Sequence, residues 1–204
     1  MYLTRLTLDP RSAQARRDLA DAYEMHRTLA RAFVTDEQSA PARFLWRLEA
    51  GSNAWASPVV LVQSVQAGDW SALQVLPNYL QREIESKPLD LQTWTESGAR
   101  YRFRLQANPT VTRQGKRYGL VGEQEQLAWL NRQGERHGFV VEAALVTASD
   151  VLASRKGNSR ISLQRVCFEG RLQVRELAAF SRALEQGIGP GKAFGCGLLS
   201  VGRG

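Results

Sequence analysis

A chain of 204 residues is long enough for one large domain or two small ones. Lysine and arginine outnumber aspartate and glutamate by 27 to 20, and the resulting net charge of +7 favours a polyanionic partner, nucleic acid or an acidic membrane surface, wherever that charge concentrates. No apolar run exceeds that of Val59 to Val62, far short of the roughly twenty residues of a bilayer span, and the alternating first ten residues lack the apolar stretch of a signal peptide.

Tyr2 to Leu8 reads as a strand. After the charged ARRD segment, Asp21 is placed to cap a helix over Ala22 to Phe33, with Ala22, Met25, Leu29, Ala32 and Phe33 on its apolar face. Phe44 to Glu49 and Val59 to Ser64 read as strands joined by a loop over Gly51 to Pro58. Asp69 is expected to cap a second helix running towards Leu80. Arg100 to Ala107 is then a strand of clear parity, with Tyr101, Phe103, Leu105 and Ala107 on one face and Arg100, Arg102, Arg104 and Gln106 on the other. The order β-α-β-β-α-β is the ferredoxin-like one, and it is expected to close just before Asn108-Pro109.

The pattern then starts again. Lys116 to Val121 is strand-like, Glu123 to Arg136 is helical around Leu127, Trp129 and Leu130, and Phe139 to Leu152 alternates loosely as a strand. A hairpin turn is expected at Gly157-Asn158, followed by a strand over Arg160 to Phe168, a helix over Arg175 to Gln186, and a last strand at Leu198 to Val201. The expected class is therefore α+β, with two tandem ferredoxin-like, RRM-like domains at residues 1–107 and 108–204. Topology alone assigns no function, because this fold serves enzymes, metal carriers and RNA-binding modules alike.

The chain has two histidines. His137 lies in the polar run NRQGERHG, where a surface role is expected. His26 has different company: Tyr23, His26, Arg27 and Arg31 share one side of the helix opened by Asp21. Such a face can be an ordinary solvated one. It also combines a residue titrating near neutrality, a phenol to hold a hydroxyl, and cations to stabilise charge on a phosphorane. Neither a carboxylate pair nor a His/Cys/Asp cluster marks a hydrolytic metal site, and Cys167 and Cys196 have neither zinc-ligand nor disulfide-scaffold spacing. No cofactor or metal is expected, and phosphodiester cleavage here should proceed without a divalent ion.

Two further segments concentrate features suited to phosphates. The loop GIGPGKAFGCGLLS, from Gly187, has five glycines in eleven residues, and Gly189, Gly191 and Lys192 are its candidates for contacting an oxyanion. A P-loop is excluded, since it would require glycine at Gln186 and serine or threonine at Ala193, and a tight structural connection is the alternative reading. The hairpin SRKGNSR carries Arg155, Lys156 and Arg160 without an acid, a compact contact for a nucleic-acid backbone. Arg27, Arg102 and Arg104 extend the candidate RNA surface. With no exposed aromatic pair for base stacking, a shape-reading binder of duplex or hairpin RNA is favoured over a single-strand reader.

Taken in order, RRDLADAYEMHRTL, FRLQANP, QLAWL, VCFEG and QGIGPGKAFGCGLLS resemble the CasE family of CRISPR-associated endoribonucleases, the RNA-processing subunits of type I-E Cascade, almost from end to end. The resemblance implies two ferredoxin-like domains and metal-independent cleavage of the CRISPR repeat at the 3′ base of its hairpin, with the guide RNA product retained and carried into the surveillance complex. By position it implies His26 and Tyr23 as catalytic residues and Arg31 as a basic assistant. The family's stem-holding hairpin falls on Arg155 to Arg160. Expected partners are the CRISPR repeat hairpin RNA and the other Cascade subunits, with no membrane, in the cytoplasm. The competing readings are a non-catalytic RNA-binding subunit, which the Tyr23/His26 pair argues against, and a ribosomal or metabolic ferredoxin-like protein, which leaves the glycine loop unexplained.

Overall fold

The computed structural model describes residues 1–34, 40–49, 56–156 and 159–203. In chain order it contains β1 (Tyr2–Thr7), α1 (Ala13–Ala20), α2 (Ala22–Ala30) running into a 3-10 turn at Arg31–Phe33, β2 (Phe44–Leu48), β3 (Val59–Ser64), α3 (Ser71–Gln74), β4 (Glu85–Pro88), α4 (Leu91–Trp94), β5 (Arg100–Ala107), β6 (Thr110–Arg113), β7 (Lys116–Gly119), α5 (Glu123–Arg136), β8 (Phe139–Lys156), β9 (Ser159–Val174), α6 (Leu177–Gln186), a 3-10 turn at Lys192–Phe194, and β10 (Leu199–Arg203). These residues divide into two compact units. The first comprises Met1–Leu89 together with Ser154–Arg160 and Ala193–Gly195, and the second the remainder.

The first unit is an antiparallel sheet in the order β2-β3-β1-β4, the 4-1-3-2 arrangement of a ferredoxin-like domain. The register pairs Leu6 with Val60, Thr4 with Val62 and Trp46 with Val62, which puts these side chains on a common face. Buried Met25 and Leu29 of α2 complete the apolar set. The preceding helix, α1, was not expected from hydrophobic periodicity, and its packing shows why. Its buried residues are Ala15 and Asp18, and Asp18 Oδ2 accepts a 2.8 Å hydrogen bond from the phenol of buried Tyr79 while Gln14 donates to Oδ1 at 2.8 Å. A helix docked by a polar contact leaves no apolar stripe to read.

Two expectations for this half are corrected. The helix towards Leu80 is the single turn α3; Asp69 Oδ1 does accept from the Ser71 N–H at 3.0 Å, but Pro77 disfavours helical geometry at Leu76, and the chain ends in an isolated bridge from Leu80 to Leu8. The fourth strand is β4, whose four residues are all exposed, and not Arg100 to Ala107.

Arg100 to Ala107 is instead the first strand of the second sheet, ordered β10-β5-β9-β8, again 4-1-3-2. Its parity is as expected: Tyr101, Phe103, Leu105 and Ala107 are buried against Trp129, Leu130, Phe168 and Phe180. The compact units accordingly part between Leu89 and Asp90 rather than between 107 and 108. Lys116 to Val121, expected to open this domain, contributes only β7, which pairs with β6 in a separate hairpin. Gln114 and Gly115 at its turn both have positive φ, +50° and +75°, the backbone signature of a tight type I′ reversal. The turn expected at Gly157-Asn158 lies outside the described residues, as does most of the loop over Gly51 to Pro58.

Candidate active site and nucleic-acid interface

The helix carrying the candidate catalytic residues begins where Asp21, extended at φ −136° and ψ 112°, accepts the Tyr23 N–H on its Oδ1 at 2.9 Å. This is an N-cap, and it satisfies one of the donors that a first helical turn leaves free. With Met25 and Leu29 fixed in the core, Tyr23 and His26 come out half-buried on the flank, one turn apart, and Arg27 is exposed. Arg31 opens the 3-10 turn immediately beyond and is exposed too.

The His26 ring stacks on Phe44 of β2, with centroids 4.9 Å apart, and Phe44 stacks in turn on Phe33 at 4.7 Å. An aromatic floor thus holds the imidazole from beneath, locking its orientation through the packing of α2 on β2. Burial has a chemical consequence, for it disfavours the imidazolium and draws the His26 pKa below the ordinary histidine value. His26 Nδ1 is buried and has no hydrogen-bond partner among the described residues. Nε2 is then the nitrogen left to exchange a proton with a substrate.

Hydrophobic spacing does not single out Glu24, yet it lies between the cations of this face: it pairs with Arg27 at 3.1 Å and with Arg17 of α1. Arg27, a candidate RNA contact, is therefore held by a carboxylate, whereas Arg31 is placed beyond that pair. Phe44 was also missed as a site residue, since nothing in a strand pattern distinguishes a ring that supports a histidine from one that fills a core.

Arg102 is exposed on the outer face of the second sheet, directly across from Arg171, while Arg104 is ion-paired with Glu169 at 3.0 Å. The side chains of Arg155, Lys156 and Arg160 lie outside the described residues. In the glycine-rich loop, Gly189 and Gly191 have φ of +77° and +88°. A Cβ on Gly189 would come to 3.0 Å from the Trp129 indole, and one on Gly191 would lie 3.4 Å from Cys196 Cβ. Both glycines are thus required by backbone conformation, and that of Gly189 also by close packing. Lys192 Nζ donates to the Gly189 carbonyl at 2.6 Å and so clasps its own loop. Ala193–Gly195, at the end of the loop, belong to the first compact unit, where Gly195 faces Trp46, two residues along β2 from Phe44. His137 caps the C-terminus of α5 and, with Arg136, Arg182 and Gln186, lines a polar recess in the second unit.

Residues 1–203 match a family described as CRISPR associated protein. The chain belongs to the Cse3/CasE family of CRISPR-associated endoribonucleases. The CRISPR-associated endoribonuclease Cse3 of Thermus thermophilus is 40% identical over 98% of this chain and 99% of its own length. The CRISPR system Cascade subunit CasE of Escherichia coli K12 is 31% identical over 98% of each. Among solved structures, that of the CRISPR endoribonuclease Cse3 bound to a 19-nucleotide RNA superposes with a TM-score of 0.89 at 39% identity and covers all of both chains. Family membership and the tandem ferredoxin-like fold expected from the residue patterns therefore stand.

Proposed function

We propose that this protein is a metal-independent endoribonuclease that binds the CRISPR repeat hairpin, cleaves precursor CRISPR RNA at the hairpin's 3′ base by attack of the RNA's own 2′-hydroxyl, and keeps the guide RNA product as a subunit of Cascade. Its relatives support the class of substrate, through the endoribonuclease and Cascade names they carry and the RNA held by Cse3. The observation that carries the chemistry is the His26 imidazole, half-buried on Phe44 with Nδ1 turned inward and Tyr23 one turn away.

Because burial favours neutral imidazole at pH 7, His26 Nε2 is prepared to take the proton from the 2′-hydroxyl as the oxygen attacks phosphorus. The Tyr23 phenol orients the reacting hydroxyl, and the exposed Arg31 guanidinium opposes the charge that grows on the phosphorane oxygens. The P–O5′ bond breaks as the new P–O2′ bond forms, and the departing 5′-oxygen takes a proton from water, so the upstream product ends in a 2′,3′-cyclic phosphate and the downstream one in a 5′-hydroxyl. Arg27, Arg102, Arg104, Arg155, Lys156, Arg160 and the loop residues Gly189, Gly191 and Lys192 make up the proposed RNA-binding surface. Because those contacts address the stem, which survives cleavage, turnover should stop near one per enzyme.

The test is to incubate the protein with the repeat RNA of its own genome in the presence of chelator and to identify the product ends. A single cut at the 3′ base of the hairpin with a 5′-hydroxyl end is the expected result. Binding without cutting would leave the non-catalytic RNA subunit as the correct reading.

A further inference from the structure

The end of β8 from Ser154 belongs to the first compact unit, unlike the rest of that strand, and a hydrogen bond ties it to the start of α2. Buried Ser154 donates its Oγ–H to Asp21 Oδ1 at 2.5 Å, across 133 residues of sequence. That oxygen is the one that caps α2 by accepting the Tyr23 N–H. A helix cap needs only the acceptor and the helix's own donor. The additional donor comes from the residue immediately preceding Arg155 and Lys156, the cations proposed to hold the RNA stem.

From this geometry we infer that Asp21 and Ser154 form a mechanical link through which RNA seated on the hairpin sets the position of Tyr23 and His26; both are positioning residues for cleavage, and the inference rests on the function proposed above. A hydroxyl donating to a carboxylate is a short, directional, charge-assisted contact. Any displacement of the end of β8 moves the oxygen that fixes the first turn of α2. Tyr23 is the residue whose backbone that oxygen holds, and His26 follows one turn later on the same side. A bound stem therefore draws the helix into register for attack, whereas RNA that does not engage the hairpin leaves the helix unaligned. The benefit falls on the rate of the chemical step, because neither Asp21 nor Ser154 is asked to touch RNA.

The experiment measures the single-turnover cleavage rate, RNA affinity and thermal midpoint separately on the full chain with its repeat RNA. Ser154→Ala leaves the cap of α2 intact, so the fold should persist and RNA affinity should change by less than about two-fold. Cleavage should slow by about ten-fold, the scale of one hydrogen bond to a charged group. Ser154→Thr, which restores the hydroxyl, should recover the rate. Adding Ser154→Ala to Asp21→Ala should slow cleavage no further, because the two substitutions remove the same link. Wild-type cleavage by Ser154→Ala, an equal loss of affinity and rate, or multiplying effects in the double variant would each overturn the link. Failure of the wild-type protein to cut the repeat RNA would overturn the function itself, and the link with it.

Discussion

The two ferredoxin-like units share one strand order and differ in where their irregularity lies. In the first unit the helix between β1 and β2 carries the candidate chemistry on an aromatic floor, while the second helical segment has shrunk to one turn and the fourth strand to four exposed residues. In the second unit both helices are full length, and the departures are the long arms of the β8-β9 hairpin and the start of the glycine-rich loop, parts proposed to hold RNA, while Ser154–Arg160 and Ala193–Gly195 belong to the first unit. One scaffold is thus put to two uses. The proposed proton transfer needs a side chain held from below by packing, which a helix supplies; the proposed phosphate contacts need reach and backbone freedom, which a hairpin and a loop supply.

Substitutions should separate those two uses. His26→Ala should slow cleavage by roughly a hundred-fold to ten-thousand-fold, the usual range for losing one general acid or base, with little change in RNA affinity; single-turnover kinetics beside a binding titration would show it, and a parallel fall in both would erase the distinction. Neutralising Arg155, Lys156 and Arg160 together should do the reverse, weakening binding and flattening its salt dependence by just under one unit of log-log slope for each phosphate no longer engaged. An unchanged slope would make the hairpin a solvated tip. Gly191→Val, which forces a β-branched residue to φ of +88°, should destabilise the fold by about 1–3 kcal/mol and impair RNA handling, as thermal unfolding and binding would report. Full stability and activity in that variant would mean that the loop has no part in handling RNA.

The smallest expected effect concerns pH. With the His26 pKa lowered in the folded protein, the unfolded chain takes up that proton first as pH falls, so His26 contributes stability above about pH 6.5 that is lost progressively below it. Lowered His137 acts in the same direction. A His26→Phe variant, which keeps a ring over Phe44, should lose less stability between neutral and mildly acidic pH than the wild-type protein. The acid limb of the wild-type single-turnover cleavage rate should likewise lie below the ordinary histidine value.

Much of this molecule was legible in its residues. The parity of Arg100 to Ala107 gave its buried face correctly, and the Asp21 cap, the His26 helix and the α5 helix lie where hydrophobic spacing placed them. The sequence does not show which sheet β5 joins: its parity suits the last strand of the first domain equally well, because the true fourth strand, ESKP, has no buried side to announce it. The helix α1 was missed because it docks through Asp18 and Tyr79. At the candidate site, spacing put Tyr23, His26, Arg27 and Arg31 on one side of a helix, and the roles proposed for Tyr23, His26 and Arg31 come from the family resemblance. Phe44 beneath His26 and Ser154 on Asp21 are tertiary contacts between distant segments, and no local pattern encodes them.

In the proposed reaction the RNA supplies its own 2′-hydroxyl as the nucleophile and His26 takes its proton. Replacing the ribose immediately 5′ of the scissile phosphate with deoxyribose, in an otherwise unchanged repeat RNA, tests it most directly. Cutting should be abolished while binding stays nearly intact, and chelator should make no difference to cleavage of the all-ribose RNA. Cleavage of the deoxy substrate, or a 5′-phosphate on the downstream product, would show that water attacked instead and would contradict the role assigned to His26.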